Sequence, residues 1–263
     1  MVPGKPNWQG RSSNGPLVTE YLAERLALEL ENYAVAGATS GEGNLVNLFL
    51  PDFTAAERTG MKYQLANYLA QPKEPLDSTL FLVWVGSNDL ALLTPEDTEE
   101  LAEAMVQEAI GNITTAVEQL LRRGARSIVL ASRTPRRELD AANDRAGQRF
   151  NHQLESLVNR LQLAYPQVRI SFFDAYTLVR RMVESPSDHG FEFPLAMCVD
   201  APACRDSEAL TAGSIAQSYV FWDIAHLTTR THQLLADELL RQLISLGWVN
   251  PVSSTYSEFL SES

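Results

Sequence analysis

Cysteine is nearly absent: the 263 residues hold two, Cys198 and Cys204, which leaves room for one intrachain disulfide at most. They stand six apart in "CVDAPAC", a spacing that allows a small ring, with two unpaired thiols in a cytosolic loop as the alternative. Basic charge is also scarce. Twenty-one Lys and Arg face 33 Asp and Glu, for a net charge of −12 with no basic tract to offset it. This disfavours nucleic acid and anionic membrane surfaces as partners. No run approaches the length of a transmembrane segment. Residues 1–20, "MVPGKPNWQGRSSNGPLVTE", lack the apolar centre of a signal peptide. Internal repeats and low-complexity segments are missing. So is a glycine loop able to cradle phosphate, and a reading as an α/β phosphate or small-ligand binder therefore fits poorly.

What is present is an ordinary globular composition, 45% apolar and 21% charged, in a length that suits one large domain over 1–263. Apolar runs rich in β-branched and aromatic residues alternate with longer stretches of helical period, the pattern of a parallel sheet covered by helices. Leu28–Ala36, Thr79–Val85, Ser127–Ala131 and Arg169–Asp174 read as strands. "TPEDTEELAEAMVQEAIGNITTAVEQLLRRG" reads as a helix capped by Thr94, with Pro95 first and Leu101, Met105, Ala109, Ile113, Val117 and Leu120 along its apolar face. A second helix carries Phe150, Leu154, Leu157 and Leu161, and a last one runs from about Thr229 to Leu246. The stretch 184–215 reads as a long surface loop, and residues 248–263 as a loose polar tail.

Three short stretches carry chemistry. "NYAVAGATSGEGN" (32–44) ends a strand in a turn of small residues, where Gly37 can bring a backbone N–H close to a ligand. "FLVWVGSNDL" (81–90) delivers Gly86, Ser87, Asn88 and Asp89 at the C-terminal end of a strand, where ligands of open α/β sheets sit. "FWDIAHLTTRTH" (221–232) sets Asp223 three residues before His226, the spacing of an acid–base pair. Taken singly, each has a plainer reading: a strand-to-helix turn, a capping Asn, a structural His. A zinc site is disfavoured because only His232 stands near His226 at ligand spacing. Asn112-Ile113-Thr114 matches a glycosylation sequon but falls inside a predicted helix and is read as chance.

The order of these stretches resembles the GDSL, or SGNH, esterase and lipase family over nearly the whole chain. "GRSSNGPLVTEYLAERL" (10–26), "NYAVAGATSG", "GSND" (86–89) and "FWDIAHLTTRTH" are similar to successive family blocks. "RRGARSIVLASRTP" (122–135), "FNHQLESLVNRL" (150–161) and "SPSDHGF" (185–191) add to the likeness. The resemblance implies an α/β, flavodoxin-like three-layer α/β/α sandwich with a parallel sheet, and hydrolysis of small-molecule or lipid carboxylic esters through an acyl-enzyme, with no cofactor and no metal. It implies His226 as general base, Asp223 as its orienting carboxylate, and the Gly37 N–H and Asn88 amide as donors to the oxyanion. Leu227 departs from the proline usual after the family's histidine, a change to a loop and not to a reacting group.

The family's nucleophile is the serine of a Gly-Asp-Ser motif closing the first strand, and the nine residues "MVPGKPNWQ" ahead of residue 10 cannot form a central strand. The nucleophilic serine and the first strand are therefore expected to be missing from this chain. Ser12, Ser13 and Ser87 follow no nucleophile-elbow pattern and read as turn or capping residues. The expectation is a sequence that begins too late, the intact protein being a secreted or periplasmic ester hydrolase. The alternative is a pseudo-hydrolase that binds an ester, lipid or glycan without cleaving it.

Overall fold

The structure is a computed structural model and describes residues 4–71, 76–137 and 141–250. In chain order the first elements are α1 (Val18–Leu26), α2 (Val46–Phe49), α3 (Met61–Ala70), β1 (Leu80–Val83), α4 (Glu99–Arg122) and β2 (Ser127–Ala131). There follow α5 (Ala141–Ala164), β3 (Arg169–Phe173), α6 (Ala175–Glu184), β4 (Phe193–Met197), α7 (Pro202–Arg205), β5 (Tyr219–Phe221) and α8 (Thr229–Ser245). The architecture is α/β, with parallel strands and accompanying helices, as the sequence pattern predicts. Among the described residues the chain divides into two compact units, one within 33–177 and one of residues 4–32 together with 178–250.

The first unit is built on a parallel sheet of order β1-β2-β3, with Leu80 opposite Ser127 and Ser127 opposite Arg169. Parallel neighbours require long crossovers, and α4 and α5 supply them. Every residue of β2 is buried, which is why "SIVLA" lacks the polar alternation of a half-exposed strand. Val106, Ile113 and Val117 of α4 meet Phe150, Leu154 and Leu157 of α5 and Ile128 and Leu130 of β2 in one apolar cluster. That burial supplies the unit's main stabilisation.

Four expectations need correction. The N-cap of α4 is Thr98, whose hydroxyl accepts from the Leu101 N–H at 3.2 Å. Thr94 is held outside the helix because its N–H and hydroxyl both donate to the Asp97 carboxylate, at 2.8 and 3.0 Å. With the start displaced, Ala102 and Val106 take the inward positions and Leu101 lies exposed. Residues 28–36 form no strand. The Leu-Glu alternation of 28–31 imitates a half-buried strand, yet Leu28 and Leu30 are 52% and 39% exposed, so no sheet face covers them.

In the second unit α1 packs along α8. The Tyr21 hydroxyl meets Thr229 Oγ1 at 2.7 Å, and Arg25 pairs with Asp237 at 2.5 Å with both side chains largely out of water. Burial pushes the Asp237 carboxyl above its ordinary range against the lowering pull of Arg25. The stretch read as a long surface loop instead holds β4 and α7. β4 runs parallel to β5, with Phe193 opposite Tyr219 and Met197 opposite Phe221 across an irregularity. Cys198 and Cys204 are joined in a disulfide, and both are buried with Ala216, Tyr219 and Trp222 in a small apolar cluster that anchors the segment. Of the supposed loose tail, residues 251–263 lie outside the described residues, while the Trp248 N–H donates to the Leu243 carbonyl at the end of α8.

Removing one member of a largely buried ion pair strands the other. Asp237→Ala is expected to lower the unfolding free energy by about 3 kcal/mol, read from urea denaturation, and a loss below about 1 kcal/mol would show the pair to be dispensable.

Candidate active site

In the first unit, Gly37 lies in a turn that closes on itself. Leu45 N–H donates to the Gly37 carbonyl at 2.8 Å, and the Asn44 amide donates to the Ala36 carbonyl and Thr59 Oγ1, each at 2.9 Å. Asn44 Oδ1 accepts from the Val46 N–H at 3.0 Å. Gly37 has φ +80°, and a Cβ on it would come within 2.3 Å of Asn44 Oδ1, so backbone and space both demand glycine. Among the described residues no protein acceptor takes the Gly37 N–H.

The Asn88 side chain is delivered to the same turn, donating to the Ala38 carbonyl at 2.9 Å. An amide nitrogen has two hydrogens, so one remains for a further acceptor. The next residue fixes this placement. Asp89 accepts from the Ser40 N–H, at 3.0 and 3.1 Å to its two oxygens, and from the Ser40 hydroxyl, which itself receives the Asn112 amide at 3.1 Å. Burial raises the Asp89 carboxyl above the usual range, and the bonds from Ser40 pull against that. Ser40, Asn44 and Asn112 went unread in the sequence. Their roles are contacts 2 to 72 residues distant, and only the sequon drew attention to Asn112, for a different reason.

Asp223 and His226 meet in the second unit, in the loop between β5 and α8. Trp222 N–H donates to the His226 carbonyl at 2.8 Å and Thr228 N–H to the Val220 carbonyl at 3.0 Å, so the loop returns tightly on β5. Asp223 Oδ1 accepts from the backbone N–H groups of Ala225 and His226 at 2.9 and 2.8 Å, and His226 Nδ1 lies 2.8 Å from Oδ2. A carboxylate partner places the hydrogen on Nδ1 and leaves Nε2 as the acceptor. Burial pushes the Asp223 carboxyl up, but the bond and charge of His226 with the two backbone donors outweigh it and hold the group below its ordinary range.

His232, the other histidine near this loop, is pushed down to about 3 by burial and then by the charge of His226. Among the described residues no group of three or more His, Cys, Asp or Glu is gathered to hold a metal ion, and no helix is long and apolar enough to cross a membrane. Ser13 Oγ donates to the Leu227 carbonyl at 2.9 Å. The structure thus brings Gly37 together with Asn88 in one unit and Asp223 together with His226 in the other.

The sequence profile of the GDSL-like Lipase/Acylhydrolase family matches residues 4–239. The chain belongs to this family. Curated relatives agree: it is 27% identical to the thermolabile hemolysin of Vibrio parahaemolyticus over 93% of this chain and 59% of the hemolysin. Two GDSL esterase/lipases of Arabidopsis thaliana are 24% and 27% identical, over 88% and 91% of this chain and 74% and 81% of their own lengths. The chain therefore spans about three-fifths of the hemolysin it matches. The Arabidopsis relatives are named as esterases and lipases.

The lowered Asp223 pKa fixes a sign for stability against pH. A group bound more weakly by protons when folded stabilises the protein above its unfolded value, and that contribution disappears as pH falls through the folded value. Asp223→Asn is therefore expected to flatten the acid limb of the stability curve below about pH 4, followed by thermal unfolding between about pH 2 and 6. An acid limb identical to that of the parent chain would contradict the ion-paired carboxylate.

Proposed function

We propose that the protein acts as a carboxylic-ester hydrolase through an acyl-enzyme, with His226 as general base. The observation that carries this reading is the His226 Nδ1 hydrogen bond to Asp223, which leaves Nε2 basic and the imidazolium stabilised once formed. In the forward step Nε2 takes the proton of a serine hydroxyl as its oxygen bonds to the ester carbonyl carbon. The carbonyl oxygen becomes an oxyanion, to which the Gly37 N–H and the remaining Asn88 amide hydrogen donate. Collapse expels the alkoxide, which takes the proton back from Nε2, and water repeats the sequence on the acyl-enzyme to release the acid. The substrates are small-molecule or lipid esters, in keeping with the relatives' names.

Gly-Asp-Ser occurs nowhere in the 263 residues. Ser13 gives its hydroxyl to Leu227 and Ser40 gives its own to Asp89, so neither is a free nucleophile. The 263-residue chain is accordingly expected to resist covalent labelling by a fluorophosphonate, and stoichiometric labelling of any serine in it would overturn the assignment. The positive arm uses a form of the protein that carries a Gly-Asp-Ser serine, assayed on a short-chain p-nitrophenyl ester. There His226→Asn is expected to lower kcat by about 10⁴-fold or more and Asn88→Ala by about 10²- to 10³-fold. Turnover unaffected by His226→Asn would defeat the mechanism.

A further inference from the structure

The segment "SSNGP" (12–16) has no part in the chemistry above, yet its side chains close on the residues that flank His226. Ser13 is fully buried and donates its hydroxyl to the carbonyl of Leu227, the residue after the histidine, at 2.9 Å. Asn14 Oδ1 accepts the Thr229 N–H at 2.8 Å, at the first residue of α8. Its amide nitrogen lies 4.0 Å from Cys198 Sγ. A Cβ on Gly15 would come within 2.6 Å of Thr229 Oγ1, and that hydroxyl donates to the Pro16 carbonyl at 2.9 Å. The loop of the histidine is thus pinned at residues 227 and 229 from this segment, and at its other end by the Trp222 N–H on the His226 carbonyl.

We propose that Ser13 and Asn14 are positioning residues that keep His226 on Asp223. The Leu227 carbonyl and the Thr229 N–H stand one and three residues beyond the imidazole, so fixing both peptides fixes the direction in which residue 226 projects. A buried carbonyl and a helix's first N–H each need a partner. With Ser13 or Asn14 truncated, the loop turns to satisfy them elsewhere and the imidazole leaves the carboxylate. The proposal rests on the reading of His226 as general base for its catalytic consequence, and on geometry alone for the rest.

The test follows the Asp223 side-chain carboxyl by ¹³C NMR through an acid titration of the 263-residue chain and its variants. Ser13→Ala and Asn14→Ala are expected to raise the Asp223 midpoint toward that of an ordinary carboxylate, as loss of the imidazole partner requires. Asn14→Asp keeps an oxygen for the Thr229 N–H at a helix N-terminus and is expected to restore the parent midpoint. Tyr21→Phe, which loses only the contact to the Thr229 side chain, is expected to leave it unchanged. Folding is checked by circular dichroism, and should Ser13→Ala fail to fold, the Asn14→Ala and Asn14→Asp pair decides. Parent-like midpoints in the folded alanine variants would overturn the proposal, as would an Asn14→Asp midpoint no closer to the parent than that of Asn14→Ala. Failure of the catalytic reading shows separately, as turnover that survives His226→Asn.

Discussion

A carboxylate partly withdrawn from water must find hydrogen bonds in the protein, and Asp223 finds them within three residues of itself. Two backbone N–H groups and one imidazole nitrogen converge on its oxygens. That local satisfaction outweighs burial, keeps the group ionised and sets the histidine tautomer in one stroke. The loop has its shape because the carboxylate needs those donors. The His226 carbonyl turns back onto Trp222, Thr228 returns to Val220, and α8 begins at the next residue.

The turn at Gly37 follows the same rule with neutral groups. Asn44 satisfies a carbonyl, a hydroxyl and an N–H at once, and Asp89 gathers the donors of Ser40. Each polar group held in this way is one less able to rearrange when a ligand arrives, which is the condition for donors to be worth more to a developing charge than water would be. Among the described residues the Gly37 N–H has no protein acceptor, and the Asn88 amide, with one hydrogen on the Ala38 carbonyl, has a second to give.

Much of this was legible in the sequence where the signal is local. The β2 strand coincides with its apolar run, α5 and α8 with their periodic leucines, and Asp-x-x-His with a real hydrogen bond, because each depends on neighbours within a few residues. The misses share a cause in distance along the chain. Leu28–Ala36 has a strand's alternation but forms no ladder, since alternation describes a side-chain pattern and pairing is a property of a partner. Thr94 has the right residue type for a cap and lost that place to Thr98, once Asp97 offered it a closer bond. β4 was hidden inside a stretch whose prolines and serines suggest a loop. The clamp from Ser13 to Leu227 spans 214 residues, beyond the reach of any window.

The Cys198–Cys204 disulfide closes a ring of a few residues. Chain-entropy arguments credit so short a ring with only about 2 kcal/mol against the unfolded ensemble, little more than half of what a cross-link between distant elements gives. Its weight is regional: Val199 N–H reaches the Trp222 carbonyl at 2.9 Å, one peptide before Asp223. A thiol-rich compartment would accordingly slacken one corner of this protein long before it endangered the whole.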